Sequence, residues 1–497
     1  MIKHADSVLS CAQMGEADRT TISAGIPGFT LMLRAGRGAA TLIRRRYRPM
    51  PVLVACGPGN NGGDGFVIAE DLRRHGWPVT VAVLGDPVRL RGDALKALRL
   101  WDGPTVPVSV HLLEEADLLV DALFGAGLTR AVEGAAALFL DHASSQVSDG
   151  SLRVVAIDVP SGVDGDTGLV RGTACPAELT ATFFRRKPGH LLHPGRDLCG
   201  TVRVIEIGIE TDLLDAIKPV ARVIGPALWS GQISAPGPED HKYTRGHVLV
   251  IAGEMAGAAR LAALAARRSG AGLVTTLGPS GTEDLLAADA PGMIVAMLPK
   301  PDAIAGFVKR RKVAAIVIGP GLGSGGRAYV EAALSTGVPT VLDADGISGF
   351  AGEPNALATL ITGPVVLTPH GGEFGRLFPA MNSRELGRME VVGEAARQLG
   401  AVVLLKGPDT VIRAADGPAL ILNGAPAVLA TGGTGDVLAG MIGALLGFGT
   451  KPDIAAACGA WMHAEAARIA SHDVTKPILA EDLCAVLPEV IGGIWTD

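Results

Sequence analysis

Short apolar runs recur between residues 51 and 208 with amphipathic stretches between them, and this alternation restricts the available folds more than any other feature. PVLVACG (51–57), PVTVAVLG (78–85), DLLVDALFG (117–125), RVVAIDVP (153–160) and TVRVIEIG (201–208) read as strands, while FVIAEDLRRHG (66–76) and GDALKALRL (92–100) carry helical periodicity. Strands alternating with helices predict a mainly parallel sheet covered by helices. The pattern fades after Gly208 through a segment rich in Pro, Gly and polar residues, which reads as a connection. It then resumes with GHVLVIAG (246–253), GAARLAALAARRSG (257–270), AAIVIGPG (314–321), PTVLDADG (339–346), PVVLTPH (364–370) and AVVLLKG (401–407), closing with three helical segments after Thr431. With no repeat linking the halves, two different α/β domains in tandem are expected, 1–215 and 222–497.

Composition narrows the function. The 497 residues carry 44 Lys+Arg against 50 Asp+Glu, a net charge of −6, so no positive field favours nucleic acid or anionic lipid. Cys11, Cys56, Cys175, Cys199, Cys458 and Cys484 are dispersed without a C-x-x-C pair, which argues against a zinc cluster or a disulfide framework and for a reducing cytoplasm. MIKHADSVLS lacks the apolar core of a signal peptide, and the most apolar stretch, 437–448, reads as a buried helix. The expected partners are small molecules rather than nucleic acid or membrane; a homo-oligomer stays open.

GPGNNGGDG (57–65) sits directly after a strand and before a helix. Glycine there admits a phosphate to free N–H groups at a helix N-terminus. Gly57, Gly59 and Gly62 satisfy G-x-G-x-x-G, with Asp86 beyond the next strand, so a dinucleotide site is the first reading. Asn60, Asn61 and Asp64 exceed what a phosphate loop requires. Asp121 and Asp158 end two further strands, and strand ends converge on one sheet edge, so Asn61, Asp121, Asp158 and Ser161 can share a crevice. Such hard oxygens of low total charge suit a weakly held monovalent cation better than zinc. The plain alternative for each acid is a turn or a helix cap.

GPGNNGGDG, VDALFGAG, AIDVPSGVDGDTG and ATFFRRKPGH, preceded by MGEADRTTISAGIPGFTLMLRAG, together resemble the NAD(P)H-hydrate epimerase family over roughly residues 11 to 212. The resemblance implies a Rossmann-like three-layer domain. It implies that Asn60, Asn61, Gly62, Gly63 and Asp64 contact the hydrated nucleotide, with Gly125, Ala126, Gly127, Leu128, Thr129, Arg130, Ala131 and Asp158. It also implies that Asn61, Asp121 and Ser161 hold K+. Exchange at C6 of the nicotinamide ring needs proton traffic on the hydroxyl, for which Asp158 is the first candidate and Lys187 the second.

In the second half, TGGTGD (431–436) heads an apolar helix. Gly432, Gly433 and Gly435 can aim N–H groups at an anion while Asp436 brings a carboxylate to the same point, as phosphoryl chemistry on a hydroxyl requires. HKYTRGHVLVIAG, ARRSGAGLVT, IGPGLG, VLDADG, LTPHGGEFGRL, LLKGPDTVI and ATGGTGDVLAGMIGALL together resemble the ADP- or ATP-dependent NAD(P)H-hydrate dehydratase family, over roughly residues 222 to 497. That resemblance implies a ribokinase-like α/β fold, with Ala258, Gly323, His370 and Asp436 binding the hydrate. Lys406, Gly407, Pro408, Asp409, Thr410 and Gly435 are implied to bind ADP or ATP, with Mg2+ on the phosphates. The expectation is a bifunctional repair enzyme acting on NADHX and NADPHX, with Asp436 as the catalytic base of the second half. A small-molecule kinase carrying a Rossmann domain, and a dinucleotide sensor without catalysis, are the rival readings.

Overall fold

The computed structural model describes residues 4–288, 290–297, 300–381 and 387–496. It divides into two compact units, Ile2–Ala221 and Arg222–Asp497. The first extends past residue 215 because the short helix Leu213–Ile217 is tied to the helix Cys11–Ser23: Gln13 Nε2 donates to the carbonyls of Ile217 and Lys218.

In the first unit, seven described strands run in the spatial order Thr105–Pro107, Val79–Val83, Val52–Cys56, Leu118–Ala122, Arg153–Ile157, Leu179–Phe183 and Thr201–Ile205, all parallel. The chain starts in the middle, moves outward one way and then the other, so the order reverses between Val52–Cys56 and Leu118–Ala122. At such a switch point the loops diverge and leave a crevice. The central strands are buried along their whole length, as their unbroken apolar runs require. Thr105–Pro107 and Leu179–Phe183 were not legible as strands, the former because it is three residues with a Pro, the latter because LTATF alternates small polar and apolar residues.

The helix after the first strand does not begin at Phe66. It runs Asn60–Arg74, so most of the glycine-rich segment forms its first turns. Helix propensity opposes this, and close packing overrides it: a Cβ at Gly62 would stand 2.0 Å from the Gly57 carbonyl oxygen, and one at Gly65 2.8 Å from Cys56 Sγ.

In the second unit, strands follow the order Ala419–Leu422, Thr410–Arg413, Val402–Leu405, Val365–Leu367, Thr340–Leu342, Ala315–Ile318, His247–Ile251, Leu273–Gly278 and Ile294–Met297. The pairs from Val402–Leu405 onward are parallel, and the two before them antiparallel. Here the order reverses between His247–Ile251 and Ala315–Ile318. The apolar stretch 437–448 falls on the buried helix Thr434–Gly447, whose Gly440 lets it rest on the Ala262 carbonyl of the helix Ala256–Arg268. No helix among the described residues is long and apolar enough to cross a membrane.

Candidate active sites

At the switch point of the first sheet lies a cavity of about 690 Å3. Asn60, Asn61 and Asp64 line it from the helix Asn60–Arg74, residues 125–130 from the loop after Leu118–Ala122, and Asp158 and Lys187 from the next two strand ends. Gly62, Gly63, Ala131, Asp121 and Ser161 are not lining residues. Gly62 and Gly63 serve packing instead, since a Cβ at Gly63 would meet Met32 at 2.6 Å. Asp86 accepts the Val88 N–H and caps the turn Pro87–Arg89 away from the cavity, so it takes no ribose-binding position.

Asp158 holds a left-handed backbone, φ 67°, uncommon for a residue with a Cβ and a mark of a conformation imposed by its surroundings. Its Oδ1 accepts from Lys187 Nζ at 2.6 Å and from the Thr182 hydroxyl at 3.0 Å, and Oδ2 accepts from the Ala126 N–H at 3.0 Å. Lys187 Nζ also donates to Thr182 Oγ1 at 2.9 Å. Burial alone would push the Asp158 carboxyl up; the Lys187 charge and these hydrogen bonds outweigh it and hold the group down to about 2. An anion so fully satisfied positions neighbours well and accepts a proton poorly.

Two other acids on the cavity wall behave in the opposite way. Asp64 is 9% exposed, and burial, with the charges of Asp158 and Asp18, pushes it well up. Asp18 is pushed up by burial as well. Neither side chain has a hydrogen-bond partner among the described residues.

Asp121 is fully buried below the cavity. Its carboxylate accepts the Ser161 hydroxyl at 2.6 Å, the Ser161 N–H at 2.7 Å and the Leu123 N–H at 3.3 Å, while Ser161 Oγ accepts the Phe124 N–H at 2.8 Å. Asn61 Nδ2 is buried without a partner among the described residues, whereas its Oδ1 and Asp158 Oδ2 lie 3.4 and 3.3 Å from where a Cβ on Gly125 would stand. Asn61 Oδ1, Asp121 and Ser161 Oγ are oxygens carrying one formal charge, a donor chemistry that fits a hard monovalent cation, while the unpaired Asn61 Nδ2 is an N–H donor and takes no part in it.

In the second unit, the helix Thr434–Gly447 starts from Gly433, whose φ of 88° is a glycine conformation, and presents Gly435 and Asp436 in its first turn. Lys406 Nζ donates to Asp343 Oδ1 at 2.9 Å, and both groups face Gly435, within 3.4 and 3.9 Å of where its Cβ would stand. Burial pushes the Asp436 carboxyl up, Asp343 adds to this, Lys406 opposes it, and the group rests at about 6. Such a carboxylate is ionised at neutral pH yet basic enough to take a proton. The charges of Asp343, Asp345 and Glu373 all add to the upward push on Asp436, while among the described residues no three His, Cys, Asp or Glu are grouped closely enough to hold a metal ion by themselves.

His370 caps the helix Gly371–Leu377: its Nδ1 accepts the Gly372 N–H at 2.9 Å while Glu373 accepts the His370 N–H at 2.8 Å. Its ring is half-exposed, and the Lys406 N–H donates to the Pro369 carbonyl, so imidazole and ammonium leave adjacent strand ends. Gly323 has φ 82°, a backbone in which a side chain is strained; its N–H donates to Asp345 at 2.9 Å. Ala258 lies beside Gly321. Asp409 is buried against Arg388, whose guanidinium also ties the Leu405, Lys406 and Asp409 carbonyls, so it braces the turn from behind.

The sequence matches two families in tandem: a YjeF-related N-terminal family over residues 28–189 and the NAD(P)H-hydrate dehydratase family over residues 248–489. A bifunctional NAD(P)H-hydrate repair enzyme of Moorella thermoacetica is 35% identical, the alignment covering 98% of this chain and 97% of that protein. The chain belongs to the bifunctional NAD(P)H-hydrate repair enzymes. Relatives of the same name from Escherichia coli (33%, covering 95% and 91%) and Mycobacterium tuberculosis (37%, covering 89% of each) extend the likeness. Among solved structures, an ADP/ATP-dependent NAD(P)H-hydrate dehydratase from Bacillus subtilis is 31% identical, covers 54% of this chain and 97% of its own, and superposes with a TM-score of 0.46.

Several groups in this repair-enzyme chain were missed by motif reading. Thr182 and His190 complete the Asp158 cluster, the His190 ring being pushed down to about 4 by burial and hydrogen-bonded to the Asp158 carbonyl at 2.7 Å. Asp343 ends a strand as Asp121 and Asp158 do, and that signal could have found it. His463, pushed down to about 4 by burial beside Thr434, lies on a helix with nothing in its sequence to mark it. Asp18 sits within MGEADRTTIS, where its spacing resembles any amphipathic helix.

Proposed function

We propose that the first unit interconverts the R and S hydrates of NADH and NADPH and that the second unit returns the S hydrate to NAD(P)H at the expense of ADP or ATP. The observation that carries this reading is Asp436, a carboxylate at about 6 on a helix N-terminus beside Lys406 and Gly435. Hydroxide is a poor leaving group. Asp436 takes the C6 hydroxyl proton, the freed oxygen attacks the terminal phosphoryl group of the nucleotide, phosphate departs from C6 as the ring nitrogen's electron pair forms N1=C6, and loss of a C5 proton to water then gives the C5=C6 bond of NAD(P)H. Lys406, held by Asp343, and the N–H groups after Gly433 face the transferred phosphoryl charge. Mg2+ carried by the nucleotide would neutralise phosphate charge, and Asp343, Asp345 and Glu373 are the acids of this chain that would face it.

In the same reading, the Gly125 to Arg130 wall and Asn60 receive the hydrate in the first cavity. The Asp158–Lys187 pair holds that wall through the Ala126 N–H, and Asn61, Asp121 and Ser161 hold K+ beneath it. Each unit folds as a domain, with the division at residues 221 and 222.

The test incubates the chain with mixed R and S hydrates, with and without ADP or ATP. Nucleotide-dependent recovery of NADPH absorbance with release of free phosphate, and equilibration of R and S without nucleotide, are the expected results. A stable phosphorylated product would instead identify a kinase.

A further inference from the structure

The epimerase reading needs a group that delivers a proton to the C6 hydroxyl, and Asp158, accepting from Lys187, Thr182 and the Ala126 N–H, is held as an anion with no proton to give. Asp64 is not so held. It stands in the first cavity on the helix Asn60–Arg74, nine-tenths buried, with a carboxyl that no donor or acceptor among the described residues engages. Asp18 faces the same space from the helix Cys11–Ser23, likewise without a hydrogen-bond partner among them. A buried carboxyl costs free energy unless it is neutral or paired, so an unpaired one on a cavity wall is kept for a ligand.

Resting on the epimerase reading, we propose that Asp64, an unpartnered carboxyl on the cavity wall, is the catalytic acid of the first unit, with Asp18 as the second unpartnered acid of the same wall. Asp64 gives its proton to the C6 hydroxyl oxygen, and the C6–O bond breaks as water leaves. The ring nitrogen's electron pair forms the N1=C6 bond of a cationic ring, opposite the new Asp64 carboxylate. A water molecule then adds to the other face of C6 and loses its surplus proton to solvent, from which Asp64 is reprotonated. Atoms and charge balance, and no redox partner is needed.

The electrostatic surroundings favour the neutral form of Asp64. Asp64 meets the negative charges of Asp158 and Asp18 and the opposing charge of Lys187, and burial is the largest influence of all. Cys11, Arg130 and Asp93, the last paired with Lys96, complete the titratable groups on the cavity wall. The same loss of water that raises Asp64 also stabilises a carboxylate facing a cationic ring, because attraction between close charges grows as the local dielectric falls.

The experiment uses the full chain without nucleotide, so that dehydration is silent, and follows R to S conversion in 18O-labelled water. Asp64→Asn keeps the shape and removes the proton; conversion is expected to fall by at least about 100-fold, the usual contribution of acid–base catalysis. Equilibrium dialysis shows separately whether the substitution removes hydrate binding, and nucleotide-dependent dehydration of the S form, which belongs to the second unit, should stay close to the unaltered chain's. The second variant, Asp18→Asn, removes a charge that keeps Asp64 neutral, so the alkaline limb of the conversion rate should move to lower pH, a shift that a purely structural change would not produce. If Asp64→Asn retains conversion within about twofold, or if epimerisation proceeds without uptake of 18O at C6, the proposal is overturned. Should Asp64→Asn lose hydrate binding altogether, Asp18→Asn decides: a limb moved to lower pH supports the proposal and an unmoved limb overturns it. Absence of conversion by the unaltered chain would overturn the epimerase reading and this proposal together, whereas conversion undiminished by Asp64→Asn overturns this proposal alone.

Discussion

Replacing Lys187 by Met should destabilise the first unit far more than an exposed lysine would. The methionine keeps the packing of the stem, so the change isolates the charge. Lys187 is 3% exposed in its side chain and Asp158 18%, and their atoms meet at 2.6 Å. The fall of the Asp158 carboxyl from 3.8 to about 2 corresponds to about 2.4 kcal/mol favouring its ionised form. Removing the cation leaves the carboxylate buried and unpaired, for which about 3–5 kcal/mol is typical. The sign with pH follows. In the unaltered chain the Asp158 contribution is present above about pH 4 and lost as pH falls toward 2. In Lys187→Met the carboxyl is pushed up instead, so the variant recovers relative to the unaltered chain as the medium is made mildly acidic and Asp158 takes a proton. Hydrogen–deuterium exchange of peptides spanning residues 153–190 reads the local loss, and urea unfolding reads the total. The double variant Lys187→Met with Asp158→Asn should recover at least half of the lost stability. A loss below about 1 kcal/mol, or a double variant no better than the single one, would refute the reasoning.

Asp436→Asn should reduce nucleotide-dependent dehydration by about 100-fold or more while leaving R/S equilibration intact, measured by NADPH absorbance and by chromatography of the epimers. In the unaltered chain, dehydration at pH 5 should run at about a tenth of its plateau, because a carboxyl at about 6 is then mostly protonated; a flat profile from pH 5 to 8 would remove Asp436 as the base. Epimerisation should slow when K+ is replaced by tetramethylammonium and recover on K+ titration, and a rate indifferent to the cation would return Asn61, Asp121 and Ser161 to a structural role. Gly62→Ala should cost about 1–3 kcal/mol or more, because its Cβ would strike the Gly57 carbonyl, whereas Gly59→Ala, with open space around it, should stay within about 1 kcal/mol by urea unfolding.

The unbroken apolar runs determined the parallel sheets, since a strand buried on both faces leaves no alternative composition, and the chemistry at their ends followed because strand C-termini share an edge. Asp121, Asp158 and Asp436 were legible for that reason: each stands where a periodic element starts or stops. What the sequence could not decide was the state of these acids. Asp158 and Asp64 looked alike as carboxylates near glycines, yet Lys187, 29 residues from Asp158 along the chain, satisfies one, while the other stands on a cavity wall with no such cation against it. Nor could the glycines of GPGNNGGDG be sorted into those that admit a ligand and those that admit a strand, because the Gly57 carbonyl reaches Gly62 only once the helix has packed. Local periodicity is written into neighbouring residues; the proton affinity of a buried carboxyl depends on which distant charges the folded chain brings within a few ångströms of it.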